Sequence, residues 1–172
     1  VIEGRAGDDI LVGDYYYAGG SDSIYGGGGN DIINPGTNSS AGIVDYADGG
    51  AGDDLLSFAV QLNFDAPLGV TLEYIYPHSP GSLFAWTIDV GSGQATSSTG
   101  GTVTFERFER YQGGIGDDAL LGSSAGDILD GHNGNDTIQG EGGDDAILGG
   151  FGDDMLFGGD GKPMSHSHGA LL

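Results

Sequence analysis

Large aliphatic residues recur at every ninth position between residues 113 and 157, with glycine and aspartate at fixed places between them. The nonapeptides read GGIGDDALL, GSSAGDILD, GHNGNDTIQ, GEGGDDAIL and GGFGDDMLF. They share the pattern Gly-Gly-x-Gly-x-Asp-x-U-x, where U is a large aliphatic residue. A fixed period indicates a repetitive fold, in which stacked units bury a core that no single unit has. Each unit is therefore predicted to be a glycine-rich turn followed by a short strand.

Two nonapeptides make one predicted coil, so side chains on the same side of the fold recur every 18 residues. The aliphatic residues then form two inner stacks, which are Leu120, Ile138 and Leu156 on one side and Leu129 and Ile147 on the other. The aspartates at position six form two columns, which are Asp118, Asp136 and Asp154 on one edge and Asp127 and Asp145 on the other. A strand buried on its inner face suits this arrangement.

An irregular copy of the pattern covers residues 4–57, with GRAGDDILV, GGGGNDIIN and GGAGDDLLS as its regular units. Its position-six residues are Asp9, Asp22, Asp31, Asp45 (a poor match) and Asp54. Their spacing places insertions around residues 15–18 and 35–39, which we expect side by side on one edge. The opposite edge, with Asp9, Asp31 and Asp54, keeps intact turns.

Residues 58–112 have a different pattern, because apolar residues alternate with polar ones at period two. This alternation predicts about four strands, antiparallel to one another, in a small β-sheet or sandwich that caps the repeats. We therefore expect an all-β protein with an irregular β-roll at 1–57, an intervening β-rich segment at 58–112, a regular β-roll at 113–161 and an unpatterned tail at 162–172. The stretch Phe108–Gly113 leads from the segment into the second set of repeats.

The charge is strongly one-sided, with 26 acidic residues against four basic ones and a formal net charge of −22. Two carboxylates about 5 Å apart repel by about 1 kcal/mol even in water, so stacked turns need cations to fold. The four basic residues, Arg5, Arg107, Arg110 and Lys162, are scattered. This composition opposes binding to nucleic acid and to anionic polysaccharides.

The repeats resemble the RTX β-roll of secreted bacterial proteins, in which each calcium ion lies between the turns of repeats i and i+2. Calcium prefers carboxylate and carbonyl oxygens, and the resemblance implies roughly five to six ions. The implied carboxylate ligands are Asp9, Asp22, Asp31, Asp54, Asp118, Asp127, Asp136, Asp145 and Asp154. The implied turn glycines are Gly7, Gly29, Gly52, Gly114, Gly116, Gly134, Gly143, Gly150 and Gly152. A weaker site is expected against the half-repeat Gly158–Gly161, because Pro163 stands where its aspartate should be.

The resemblance also implies a function. Such modules fold when they meet millimolar calcium outside a Gram-negative bacterium, and they support export of a larger protein through the type I secretion apparatus. The alternative is a calcium-stabilised module that binds a glycan or a cell surface through its inserted loops, with Tyr15, Tyr16, Tyr17 and Tyr25 as an aromatic platform. The chain has no cysteine, no apolar run long enough to span a membrane and no recognisable catalytic motif, so we expect no enzyme activity in it.

Overall fold

The computed structural model describes residues 1–14, 20–36, 41–59, 84–161 and 164–168, and every regular element among them is a β-strand. The first strands in chain order are β1 (Ile2–Ala6), β2 (Ile10–Asp14), β3 (Ser23–Gly28), β4 (Ile32–Gly36), β5 (Val44–Ala51), β6 (Leu55–Ser57), β7 (Trp86–Asp89) and β8 (Gln94–Ser97). They are followed by β9 (Thr102–Glu106), β10 (Arg110–Gln112), β11 (Ala119–Leu121), β12 (Ile128–Asp130), β13 (Thr137–Gln139), β14 (Ala146–Phe151), β15 (Met155–Phe157) and β16 (Met164–His168). The all-β prediction is confirmed.

Two sheets face each other across the core. The nine-stranded sheet has the order β1-β3-β5-β9-β8-β7-β11-β13-β15, and the seven-stranded sheet has the order β16-β14-β12-β10-β6-β4-β2. Within each set of repeats, consecutive strands alternate between the sheets, and each strand pairs in parallel with the strand two further on. Two turns and two strands thus make one coil, which confirms the predicted parallel β-roll.

The position-eight side chains of the repeats point between the two sheets and form part of the core. Leu120 lies beside Ile138, and Ile138 lies beside Leu156. Leu129 lies beside Ile147 on the opposite sheet. Full burial of such a side chain stabilises a fold by about 1.5–3 kcal/mol. The buried apolar residues of both sets of repeats form one cluster, so the two β-rolls share a core.

Strands β7, β8 and β9 of the intervening segment lie within the nine-stranded sheet. Strand β8 pairs antiparallel with β7 and with β9, which agrees with the predicted antiparallel pairing. The alternation does not predict strand β8 itself, because it lies in the stretch 91–101, where glycine, serine and threonine favour a turn. The prediction that these strands form a small sheet of their own is wrong, because β9 pairs in parallel with β5 and β7 pairs in parallel with β11. Their inward residues, among them Ile88 and Val103, are fully buried and continue the core. The other strands predicted between residues 60 and 83 lie outside the described residues.

The seven-stranded sheet crosses from the first β-roll to the second through β10 alone, since β10 pairs with β6 on one side and with β12 on the other. The end of the chain also differs from the expected unpatterned tail, because β16 extends this sheet by pairing in parallel with β14. In the part of the chain that the structure describes, no helix is long and apolar enough to cross a membrane.

Candidate metal sites at the turns

The position-six aspartates lie at the turns that connect the two sheets, and they form two rows. We call the row that precedes strands of the seven-stranded sheet the first edge; its aspartates are Asp9, Asp31, Asp54, Asp127 and Asp145. We call the row that precedes or begins strands of the nine-stranded sheet the second edge; its aspartates are Asp22, Asp45, Asp118, Asp136 and Asp154. The columns predicted from the period of nine are thereby confirmed, and the columns of the two β-rolls belong to the same rows.

Hydrogen bonds connect each aspartate to the next one along its edge in the second β-roll. The backbone N–H of Asp118 donates to Asp136 Oδ1 at 2.8 Å. The N–H of Asp136 donates to Asp154 Oδ1 at 3.0 Å, and that of Asp127 donates to Asp145 Oδ1 at 3.0 Å. The structure therefore brings together all three pairs of aspartates that the sequence predicts to share an ion.

The same bonds recur in the first β-roll. The N–H of Asp9 donates to Asp31 Oδ1 at 2.9 Å, and the N–H of Asp31 donates to Asp54 Oδ1 at 2.8 Å. On the second edge the N–H of Asp22 donates to Asp45 Oδ1 at 2.8 Å. The contacts between successive aspartates are therefore the same in the irregular β-roll as in the regular one.

The second carboxylate oxygen of most of these aspartates is buried without a hydrogen-bond partner. The aspartates concerned are Asp9, Asp31, Asp54, Asp136, Asp145 and Asp154, in each case at Oδ2. Burial of an uncompensated polar group costs roughly 2–7 kcal/mol, and burial of a charged one costs more. Six orphaned oxygens at equivalent positions therefore indicate a partner other than the protein's own donors.

Position-one glycine is required for space. A Cβ atom at Gly113 would lie 2.5 Å from Asp118 Oδ2 and 2.7 Å from the carbonyl oxygen of Gly131 in the next coil. A Cβ atom at Gly4 would meet Asp9 Oδ2 at 2.8 Å and Gly26 O at 2.5 Å. The position-one residue thus leaves room in which a carboxylate oxygen and a stacked carbonyl oxygen converge.

Left-handed backbone at position two separates two kinds of turn. Gly50 has φ of 103°, and even the non-glycine residues Arg5, His132 and Glu141 have φ of 82°, 76° and 69° at this position. All the turns with an orphaned Oδ2 have this conformation at position two. The position-one glycines are not left-handed, and glycine is required there by the crowding around the α-carbon.

The first two turns of the second β-roll are the exceptions. Neither Gly114 nor Ser123 has a positive φ at position two. Their backbone N–H groups point inward instead, and they donate to Asp118 Oδ2 and Asp127 Oδ2, each at 2.6 Å. Left-handed backbone at position two therefore frees the carboxylate oxygen from the turn's own N–H.

Position-four residues stack their carbonyl oxygens along the edges. Left-handed glycines at this position are Gly7, Gly29, Gly52, Gly134, Gly143 and Gly152. A Cβ atom on Gly29, Gly52, Gly134, Gly143 or Gly152 would collide with the carbonyl oxygen of the position-four residue in the preceding coil. Of the other predicted turn glycines, Gly150 is left-handed at position two, whereas Gly116 at position four has no left-handed backbone.

Burial changes the acidity of the carboxyl groups. Burial raises the pKa of Asp118 to about 7, even though hydrogen bonds from two backbone N–H groups lower it. It likewise raises the pKa of Asp136 to about 7, with the charge of Asp154 adding to the effect. The pKa values of Asp31 and Asp54 are also raised, first by burial. These groups retain their protons at unusually high pH unless a cation stabilises the charged form.

Two acidic residues at the turns were underestimated from the sequence. Asp45, a poor match to the repeat, is 1% exposed and accepts the same N–H bond as the regular aspartates. Glu109 accepts the N–H of Asp54 at 2.9 Å through Oε2. The period of nine contains a signal for Glu109, because it lies one repeat before Asp118.

The half-repeat at the end of the second β-roll follows the course of a turn. Asp160 N–H donates to Glu141 O at 2.7 Å, and Gly143 N–H donates to Asp160 O at 3.0 Å. Pro163, which stands at its position six, lies outside the described residues, as do the inserted tyrosines 15–17. Asp14 and Gly36, the last described residues before the two insertions, pair with each other in β2 and β4. The spacing predicts that the second insertion begins at residue 35, whereas Pro35 and Gly36 belong to β4.

The donors of these turns fit calcium. They are carboxylate and carbonyl oxygens, the hard ligands that calcium prefers in sets of six to eight. Within the described ranges, no three His, Cys, Asp or Glu side chains converge on one point. An ion at a pair of aspartates would therefore take its other ligands from water and from backbone carbonyls, which the stacked glycine turns provide.

Comparison with known proteins identifies the same segments. A family model described as the RTX calcium-binding nonapeptide repeat (four copies) matches residues 1–14, 18–39, 44–58, 112–147 and 130–162. These ranges cover more than half of the chain and include both β-rolls. No curated protein matches the chain.

Proposed function

The chain belongs to the family of RTX calcium-binding nonapeptide repeat proteins, and on this premise we propose that it is a module that folds when it meets millimolar calcium outside the cell. Calcium binding, typical of secreted proteins with such repeats, follows from family membership. The folding switch, the number of ions and the role in export are our proposal.

The observation that carries the proposal is the row of buried carboxylates with orphaned Oδ2 atoms along both edges. Ordinary protein folds satisfy nearly all buried polar groups. Without a cation, each of these turns must hold either a desolvated charge or a proton. The unfolded chain hydrates the same carboxylates freely, so the metal-free fold is penalised at every coil.

The free energy available from calcium is large enough to reverse this balance. Extracellular calcium modules bind at about 0.1–1 mM. At a tenfold excess over such a constant, each site stabilises the fold by about 1.4 kcal/mol, and five sites by about 7 kcal/mol. An ordinary domain is stable by about 5–15 kcal/mol, so roughly five to six ions decide whether the chain folds.

This switch suits export by the type I secretion apparatus of a Gram-negative bacterium. A chain that stays unfolded at the low free calcium of the cytosol can thread through an exporter, and folding outside then prevents its return. The module would stabilise a larger secreted protein in this way. Its role is structural, because its many paired carboxylates are used in turns and ion sites.

The test is a calcium titration of chelated protein followed by far-UV circular dichroism, with magnesium as the control cation. We expect a cooperative transition from coil to β-structure near millimolar calcium. Magnesium should not produce it, because that ion demands octahedral geometry and gives up its water reluctantly. A chelated protein that is already folded, and that calcium leaves unchanged, would contradict the proposal.

A second candidate function, binding of a neutral glycan, is favoured by one observation. Tyr25 is 39% exposed on the outer face of the nine-stranded sheet, and its ring lies 5.6 Å from that of Tyr46. The Tyr46 hydroxyl donates to Glu106 Oε1 at 2.5 Å. Titration with neutral oligosaccharides in calcium should quench tyrosine fluorescence, and Tyr25→Ala should abolish the effect. Unchanged wild-type fluorescence would argue against this function.

A further inference from the structure

We propose that Glu109 continues the first edge across the junction between the two β-rolls and, with Asp54, forms a calcium site that the nonapeptide pattern does not contain. This inference rests on the proposed calcium-dependent function and extends it to a residue outside the recognisable repeats. The family model for the first β-roll ends at residue 58, and its next match begins at residue 112.

Strand register places Glu109 in the row of aspartates. Arg110 pairs with Leu55 in β6 on one side and with Ile128 in β12 on the other. The residues immediately before these three are Glu109, Asp54 and Asp127. The first edge therefore runs without a gap from Asp9 to Asp145, and Glu109 is its member at the junction.

The contact between Asp54 and Glu109 repeats the contact between successive aspartates. Asp54 N–H donates to Glu109 Oε2 at 2.9 Å, as Asp31 N–H donates to Asp54 Oδ1 at 2.8 Å. The following strand continues the pattern, because Arg110 N–H donates to Asp54 O at 3.1 Å, as Ala146 N–H donates to Asp127 O at 2.8 Å. Toward Asp54, Glu109 thus takes the place of a repeat aspartate, although its own N–H donates to Asp54 O at 3.3 Å and not to the next carboxylate.

The oxygen atoms around Asp54 are also those of a complete turn. Asp54 is fully buried, and its Oδ2 has no hydrogen-bond partner. A Cβ atom at Gly49 would lie 2.8 Å from that oxygen and would collide with the carbonyl oxygen of Arg107. In the regular turns this carbonyl belongs to the position-one residue of the next coil, for example Gly131 O above Gly113. A carboxylate oxygen, a stacked carbonyl and a second carboxylate therefore meet at the junction.

The chain reaches this arrangement over a shorter path. Arg107 and Glu109 are two residues apart, whereas positions one and six of a repeat are five apart. A glutamate has one more methylene group than an aspartate, which compensates for the missing turn. The shorter path is a physical reason for glutamate instead of aspartate at position 109.

The nearby arginines do not replace the ion. Arg110 Nε pairs with Asp53 Oδ1 at 3.1 Å, and the Arg107 guanidinium pairs with both oxygens of Asp48. Neither ion pair provides a hydrogen bond to Asp54 Oδ2. The charge of Arg110 acts on Asp54, but it leaves Asp54 Oδ2 without a hydrogen-bond partner.

The test is calorimetric counting of calcium ions on the full chain carrying Glu109→Gln. Glutamine retains an oxygen that accepts the Asp54 N–H, so the variant removes the charge and keeps the backbone contact. We expect about one ion fewer than in the wild type. The matched control is Glu106→Gln, because Glu106 is an exposed glutamate three residues away that faces the outer side of the nine-stranded sheet. The control should bind as many ions as the wild type.

A second measurement on the wild type does not depend on how the variant folds. The assigned side-chain carboxyl carbon of Glu109 should shift on calcium saturation in a ¹³C NMR spectrum, while that of Glu106 stays in place. An unchanged ion count in Glu109→Gln, or an unmoved Glu109 signal in calcium-saturated wild type, would overturn the inference alone. Absence of calcium binding by the wild type would overturn the proposed function as well.

Discussion

At the scale of the residue, the backbone conformation of position two decides whether a turn presents a free carboxylate oxygen. Left-handed residues such as Gly50 and His132 accompany the orphaned Oδ2 atoms of Asp54 and Asp136. In the second turn of the second β-roll, Ser123 does not have left-handed backbone, and its N–H donates to Asp127 Oδ2. The backbone conformation at position two, and not the presence of a side chain there, separates the two kinds of turn, because Gly114 lacks left-handed backbone and His132 has it.

Ser123→Gly should strengthen calcium binding on the first edge. A non-glycine residue pays about 1–2 kcal/mol for left-handed backbone, and glycine removes that cost, so the N–H of residue 123 can turn away from Asp127. The affinity at this turn should rise by up to about tenfold. Calorimetric titration measures it, with Ser124→Gly as the neighbouring control; equal affinity in both variants would count against the role of position two.

Asp136→Asn should weaken two sites at once, because Asp136 is bonded both to Asp118 and to Asp154. Asparagine still accepts the Asp118 N–H but lacks the charge that calcium requires. We expect a loss of about two ions and a higher calcium midpoint for folding. The control is Asp117→Asn, which also removes one carboxylate charge. Asp117 is an exposed neighbour of Asp118, and its Oδ1 accepts the Asn135 N–H. If both variants folded at the same calcium concentration, the position-six carboxylate would not be the ligand.

The raised pKa values predict an unusual pH dependence in chelator. Burial raises the pKa of Asp118 and Asp136 from 3.8 to about 7. Between these values the folded state binds more protons than the unfolded state, so its stability falls as pH rises through this window and levels off above it. Far-UV circular dichroism in chelator should show more β-structure at pH 4.5 than at pH 7.5. More β-structure at the higher pH would show that protons do not substitute for the cation.

At the scale of the element, the period of nine predicts the strands of the β-rolls well. Each turn is followed by an inward aliphatic residue such as Leu129, and both the pairing and the stacking follow from the count. The placement of β7, β8 and β9 does not follow from their alternation. Period two identifies an amphipathic strand but not its partner, and here the open edges of β5 and β11 supply the partners.

Strand β10 is the element that joins the two β-rolls in the seven-stranded sheet. Its Tyr111 is 6% exposed, its ring lies 5.6 Å from Phe105, and its hydroxyl donates to Phe108 O at 2.7 Å. Tyr111→Ala would remove this packing and leave a cavity, at a cost of roughly 3–5 kcal/mol.

Calorimetry in saturating calcium measures whether β10 couples the two β-rolls. We expect one cooperative unfolding transition in the wild type and two separate transitions in Tyr111→Ala. Leu129→Ala, a truncation inside the second β-roll, is the control and should lower the unfolding temperature without splitting the transition. A single transition in Tyr111→Ala would mean that the coupling runs through the nine-stranded sheet instead.

At the scale of the whole molecule, the fold determines where the negative charge is concentrated. The net charge of −22 comes from acids that mostly lie in the turns, where the coils stack them in two rows. The sequence alone predicts these rows, because the period fixes which aspartates are neighbours. The period of nine places Glu109 one repeat before Asp118, but the motif does not identify it as a member of the first edge, because a glutamate and a shortened turn replace the glycine-rich pattern there.

The most direct test of this account is a crystal structure of the protein grown in calcium, with anomalous diffraction data that locate the ions. We expect anomalous peaks between successive aspartates of both edges, including the pair Asp136 and Asp154 with their orphaned Oδ2 atoms, and a further peak beside Asp54 and Glu109. A folded β-roll whose aspartate pairs carry no anomalous peak would contradict the claim that calcium occupies the orphaned oxygens.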